Sequence, residues 1–181
     1  MKPLRRLLLA ALLAAPALAR ADEDEYGPKR DATRHFFVPT FGDYRADLED
    51  ARKEGKLGLV AMFHWEDCPY CVRMKRDVLS REAVQQWYRA RYLPIAVDTR
   101  GSIQVVDFEG RRMSERRFAD EAGVKVTPTF IFYDLDGRPL YRHRGEIRDP
   151  GTFIRLGKFV AEGHYKTQSF DAYLKATIGN S

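Results

Sequence analysis

The chain has 181 residues, 44% hydrophobic, 31% charged and 12% aromatic, with two cysteines, which excludes a disordered chain, a collagen-like repeat and a miniprotein stapled by several disulfides. The formal charge is +5, but Lys2, Arg5, Arg6 and Arg20 fall within residues 1–21, which hold no acid. Without them 27 basic residues face 26 acidic ones, so no basic field points to nucleic acid or an anionic membrane surface.

The basic excess belongs to a segment that reads as an export signal. Lys2, Arg5 and Arg6 precede an Ala/Leu run from Leu7 to Leu18, broken by Pro16, and small-x-small cleavage sites follow at Ala17-Leu18-Ala19 or Ala19-Arg20-Ala21. The run falls short of the roughly 20 apolar residues of a permanent span. Residues 1–21 are therefore expected to be removed on export to the periplasm, leaving a chain that does not span the membrane. Residues 22–35 are charged and nearly free of apolar side chains, and are read as a flexible leader. One domain, residues 36–181, is long enough to bury a core.

Phe41, Tyr44, Leu48 and Ala51 recur at helical steps and predict one apolar face within residues 42–54, stopped by Gly55. Leu57 to Trp65 is a nearly continuous apolar run, suited to a strand covered on both faces. After Cys68-Pro69-Tyr70-Cys71, Met74 and Val78 mark a helix, interrupted near Ser80 and resumed through Val84, Trp87 and Tyr88. Tyr92 to Val97 predicts another strand, and residues 99–113 an inserted hairpin around Glu109-Gly110. Ser114 can cap a helix carrying Phe118, Ala119 and Ala122, ended by Gly123. Phe130–Tyr133 and Leu140–Arg144 are strands joined through Asp136-Gly137. Two helices close the chain, one over residues 150–163 with Phe153, Leu156 and Val160, one carrying Phe170, Tyr173 and Leu174. A mixed sheet with helices on both faces is the economical packing for this order.

The only two cysteines, Cys68 and Cys71, stand between a buried-type strand and a helix start. Amide N–H groups there lack partners within the helix, and the helix dipole adds partial positive charge. A thiolate at Cys68 is stabilised by both, and Cys71, one turn inside, is placed to resolve a mixed disulfide. Pro69 suits a first helical turn. Three other uses compete. A structural disulfide closing so short a loop contributes only about 2 kcal/mol by loop entropy. A zinc site needs two more ligands, with only His35, His64, His143 and His164 on hand. Haem attachment needs a histidine after the second cysteine, where Val72 stands.

Four stretches carry a family resemblance: Ala51-Arg52-Lys53-Glu54-Gly55-Lys56 before the first central strand, Phe63-His64-Trp65-Glu66-Asp67-Cys68-Pro69-Tyr70-Cys71, Gly123-Val124-Lys125-Val126-Thr127-Pro128-Thr129-Phe130, and Gly163-His164-Tyr165-Lys166-Thr167-Gln168-Ser169-Phe170 with Tyr173-Leu174. Over about residues 36–177 the sequence resembles the thioredoxin superfamily, and within it the exported thioredoxin-like proteins of the SoxW type, associated with bacterial sulfur oxidation. The resemblance implies an α/β thioredoxin fold, a mixed central sheet flanked by helices, with the hairpin inserted before the cis-proline half. It implies that Pro128 follows a cis peptide beside the cysteine pair and that Thr127 offers its backbone to an extended substrate segment. The alternative is an ordinary trans proline at a strand start. Pro69, Tyr70 and Trp65 complete the expected substrate-binding set, although Trp65 and Tyr70 would serve equally as cover for the core.

The sequence also departs from the family pattern. Met62 stands where a buried acid usually assists the resolving thiol, Pro94 where a lysine accompanies it, and Asp67 where a tryptophan precedes the first cysteine. His64 and Glu66 are the candidates for a substitute proton relay. The alternatives are a hydrogen-bonded core imidazole for His64, and for Glu66 and Asp67 a solvated acidic rim that disfavours a nearby thiolate.

The expected function is a periplasmic thiol–disulfide oxidoreductase, working mainly as a reductant of protein disulfides or sulfur-loaded cysteines, with catalytic Cys68 and Cys71. It is expected to use no metal and no cofactor beyond its own redox-active disulfide. Re-reduction by a membrane electron donor of the DsbD or CcdA type is what the resemblance implies. The alternatives are a disulfide oxidant or isomerase, and a non-enzymatic copper or zinc carrier using the soft thiolates.

Overall fold

A computed structural model describes residues 25–178; the export signal expected over residues 1–21 lies outside the described residues. In chain order the elements are α1 (Ala32–His35), α2 (Tyr44–Lys53), β1 (Gly58–His64), α3 (Pro69–Asp77), α4 (Glu82–Arg91), β2 (Tyr92–Asp98), β3 (Gln104–Val106), β4 (Arg112–Ser114), α5 (Glu115–Glu121), β5 (Thr129–Tyr133), β6 (Pro139–Arg144), α6 (Pro150–Ala161) and α7 (Phe170–Ile178), with a 3₁₀ turn at His164–Lys166. Among the described residues no helix is long and apolar enough to cross a membrane.

The central sheet has the order β2-β1-β5-β6, with β1–β2 parallel and the other pairings antiparallel. This is the mixed sheet that the resemblance implies. The apolar run of β1 is explained by its place inside the sheet, where successive side chains enter opposite cores. Val60 and Met62, with Phe130 and Phe132 of β5, pack against residues of α1, α3, α4, α6 and α7. Leu59, Ala61 and Phe63, with Ile131 and Tyr133, pack against α2, α5 and the hairpin.

The inserted hairpin is a separate two-stranded sheet, β3 paired antiparallel to β4. Its turn is organised by the buried Asp107, whose carboxylate accepts the N–H groups of Glu109 and Arg111. Val105 and Met113 join the second core, and Phe108 packs on Tyr44, Phe118 and Tyr133. The expected break near Ser80 falls between α3 and α4, where Ser80 Oγ donates to the Arg76 carbonyl.

Two expectations need correction. Phe41 is fully exposed and precedes the helix, rather than sharing its buried face. The reason is local: Asp43 caps α2 by accepting from the N–H groups of Arg45 and Ala46, so the helix begins at Tyr44. The charged stretch read as a flexible leader is instead docked from Tyr26 onwards. Arg30 N–H donates to the Ser80 carbonyl, and the Tyr26 carbonyl accepts from Ala83. The Arg30 guanidinium reaches both Gln85 and Glu82, while the fully buried Gln85 amide donates back to the Arg30 carbonyl. Its partners lie some fifty residues onward, on α4 and the turn before it, so low local hydropathy is no guide to its order.

Gly58 opens β1 at φ +152°, and a Cβ there would meet the Tyr133 carbonyl oxygen at 2.0 Å, in the strand it pairs beside. Gly58→Ala is expected to cost about 2–4 kcal/mol of unfolding free energy. Urea denaturation should show a lower midpoint with an unchanged slope.

Candidate functional site

The site is built where β1 ends and α3 begins. His64 closes β1, the turn Trp65-Glu66-Asp67 reverses the chain, and Cys68 caps α3, with Pro69 in its first turn. Pro69 has no N–H to leave unpaired there, and its fixed φ starts the helix. Cys68 and Cys71 are disulfide-bonded with Cα atoms 5.2 Å apart, and both residues are almost wholly withdrawn from solvent.

Two donors converge on one sulfur. The Cys71 N–H donates to Cys68 Sγ at 3.2 Å, and the Thr127 hydroxyl donates to the same atom at 3.3 Å. A helix-start amide and a hydroxyl thus lie where a Cys68 thiolate would hold negative charge. The Thr127–Pro128 peptide is cis, and Pro128 is buried next to the start of β5. Sequence reasoning gave Thr127 a backbone role; its hydroxyl contact with Cys68 is an addition from the structure.

The rim is aromatic and cationic. Tyr70 is 52% exposed, with the Arg73 guanidinium 5.2 Å from its ring centre. Arg73 also makes a bidentate pair with Glu146, through Nε at 2.8 Å and Nη2 at 3.1 Å, which holds the Glu146 carboxyl below its usual range. Arg100 stacks over Trp65 at 3.7 Å from the ring centre. Val126, just before Thr127, is also exposed. Trp65, half-buried, therefore both packs against the core cluster and carries a cation on its face.

The two relay candidates are not brought together. Glu66 is exposed and makes no hydrogen bond to His64. His64 is half-buried, with Nδ1 3.3 Å from Lys75 Nζ. Lysine can only donate, so Nδ1 accepts and the imidazole proton belongs on Nε2. Burial, reinforced by the Lys75 charge and opposed by Asp98, pushes His64 down to about 4. It is then neutral at neutral pH rather than titrating there. Met62 is buried in β1 between Ala96 of β2 and Phe130 of β5, and Pro94 stands opposite Val60. The sheet beneath the disulfide is thus apolar, and no ionisable side chain takes the position of the missing acid.

Lys75 was absent from the sequence reading. Its signal was available in the spacing, four residues after Cys71 and so on the same helical flank. Arg100 and Glu146 left no such signal, because Arg100, just after β2, meets Trp65 of the cysteine turn, and Glu146, in the loop after β6, meets Arg73 of α3. Among the described residues no cluster of three or more His, Cys, Asp or Glu side chains is gathered in metal-binding fashion.

Comparison with known proteins places this geometry. The model of the thioredoxin-like domain matches residues 44–176. No curated protein matches the chain. Among solved structures, a thioredoxin-fold protein from Helicobacter pylori is 19% identical, covering 88% of this chain and 100% of its own, with a TM-score of 0.59. A thioredoxin from Thermus thermophilus is 27% identical, covering 66% of this chain and 84% of its own, with a TM-score of 0.51. The oxidised C-terminal domain of DsbD from Neisseria meningitidis is 19% identical over 69% of this chain and 98% of its own, with a TM-score of 0.51.

Thr127→Val should raise the thiol pKa of Cys68 in the reduced protein by about one unit, read as slower alkylation at neutral pH. His64 should titrate in an NMR experiment with a midpoint near 4. An imidazole with that native value and roughly 6.5 when unfolded binds fewer protons folded than unfolded between the two. Its share of stability is present above the unfolded value and lost as pH falls through that window. His143, also lowered by burial, acts in the same sense, so His64→Asn should make the acid limb of stability shallower without abolishing it.

Proposed function

The chain belongs to the thioredoxin-like family, and on that footing we propose that it is an exported, periplasmic oxidoreductase that reduces protein disulfides or sulfur-loaded cysteines on a partner. A thioredoxin-like fold carrying a CxxC pair supports thiol–disulfide exchange in general. One observation carries the finer reading: the only two cysteines of the sequence are paired at the start of α3, with a helix amide and the Thr127 hydroxyl both aimed at the first sulfur.

In the reduced protein the Cys68 thiolate attacks one sulfur of the partner disulfide. A Cys68–partner disulfide forms, and the partner's other sulfur leaves as a thiolate and takes up a proton. Cys71 loses its proton and attacks Cys68 Sγ, which expels the second partner thiol and regenerates the Cys68–Cys71 disulfide. Two electrons have passed to the partner. The exposed face of Tyr70, the Trp65 ring and Val126 offer apolar contact, and the Thr127 backbone offers strand-like pairing to an extended segment. Two electrons must then return to the protein. An oxidising compartment does not supply them, so a membrane conduit of the DsbD or CcdA type is the proposed donor. The SoxW-type assignment rests on the cysteine turn and the Gly163–Leu174 ending.

Reduced protein should catalyse insulin reduction, Cys68→Ser should abolish it, and Cys71→Ala should hold a partner in a stable mixed disulfide recoverable from the native host. Activity surviving Cys68→Ser would remove the proposal. A reduction potential near about −270 mV supports a reductant, whereas one near about −120 mV would make the protein an oxidant.

A further inference from the structure

The redox helix carries a charge that the exchange steps above do not use. Lys75 follows Cys71 by one helical turn, and residues so spaced are neighbours, with Cβ atoms about 5–6 Å apart. Its side chain is half-buried, with Nζ 3.3 Å from His64 Nδ1 and 5.7 Å from the centre of the Phe37 ring. Phe37, Cys68 and Cys71 belong to one buried cluster. The ammonium thus lies at the edge of the buried cluster to which both cysteines belong, where charges interact more strongly than in water.

Neighbouring cations differ from Lys75 in one respect. Lys29, Arg30 and Arg76 line the same groove beside α3, but Lys29 and Arg76 are paired with Asp77, and Arg30 with Glu82. Among the described residues Lys75 makes no salt bridge; its close partner is a neutral imidazole, and the one acid acting on it is Asp98 at the end of β2. Burial lowers its pKa from the ordinary lysine value and Asp98 opposes that shift. An ammonium held in such a place is costly, yet its field is free to act on a nearby anion.

We propose that Lys75, positioned by His64, supplies the fixed positive charge that stabilises the thiolates of the Cys68–Cys71 pair, in a site where Met62 and Pro94 leave the sheet beneath it without an ionisable group. Lys75 is a positioning residue: it touches neither partner nor sulfur, keeps its own proton throughout, and the proton leaving each thiol goes to solvent. The other charged or titratable groups around the pair are Glu66 and Asp67 on the turn, His64 at the end of β1, Asp98 and Arg100 at the end of β2, and Arg73 on α3. Glu66, Asp67 and Asp98 disfavour a thiolate, and Lys75 offsets them from within the helix. This inference rests on the redox reading, because a charge tuned to a thiolate has no purpose at a purely structural disulfide.

The test is the thiolate absorbance and the iodoacetamide reaction rate of the reduced full chain as functions of pH. Lys75→Met, which keeps the apolar stem, should raise the apparent pKa of the pair by about one unit and cut alkylation at neutral pH several-fold. Lys75→Arg should restore the wild-type profile. Asp98→Asn keeps an acceptor for the Arg100 N–H that Asp98 now receives, and it should shift the pair the opposite way, to lower pKa. That shift reads the direct field of Asp98, and Lys75→Gln, which also removes the charge, should repeat the Lys75→Met shift and stands in for it if Lys75→Met does not fold. Unchanged titration in Lys75→Met, or in Lys75→Gln where that variant is used, would overturn the inference. Insulin reduction by the wild type is scored separately: without turnover the redox reading falls, while the titrations still decide the electrostatic one.

Discussion

The junction between β1 and α3 is the constraint on which the site depends. β1 is buried on both faces, so its end is fixed by two cores at once, and only the turn Trp65-Glu66-Asp67 separates that fixed point from the cap of α3. Cys68 is the residue that caps it. A cap supplies an acceptor for the early helix amides, and here the acceptor is a sulfur. The requirement that any helix start meets with serine or aspartate is met by a group that can also exchange electrons. The loop before β5 adds the Thr127 hydroxyl from the other side of the sulfur.

Apolar sheet and charged periphery divide the electrostatic labour. Beneath the disulfide lie Met62, Val60, Phe130 and Phe132, which exclude water and carry no charge. Polarity is displaced to the flanks, where Arg73 binds Glu146 beside Tyr70, Arg100 covers Trp65, and Lys75 leans on His64. The arrangement gives the aromatic rim a cationic edge and leaves His64 neutral, because an imidazole beside a lysine ammonium in a half-buried site gains nothing from a second proton. The acidic turn at Glu66 and Asp67 is therefore balanced by neighbouring cations and by helix amides rather than by a protonated histidine.

The order of strands and helices was legible along the chain because it rests on local pattern. The apolar run at β1, the Ser114 cap and the Asp136-Gly137 turn each announce themselves within a few residues. The cysteine pair was legible for the same reason. Phe41 was misplaced because a helical period extends naturally through a cap, and only the Asp43 side chain shows where the helix begins. The stretch from Tyr26 to His35 looked unstructured because its anchors are hydrogen bonds to Ser80, Ala83, Glu82 and Gln85, invisible to any reading of local hydropathy.

The sequence alone determined the succession of elements, the two-sided burial of β1 and the placing of both sulfurs at a helix start, since these follow from side-chain periodicity and from the chemistry of adjacent residues. Tertiary structure decided which groups meet those sulfurs. Thr127 lies 59 positions beyond Cys68, Glu146 lies 73 beyond Arg73, and Lys75 finds His64 only because α3 packs back along the end of β1. Contacts of that kind are set by how the two cores bring distant segments together, and no periodicity within a segment encodes them.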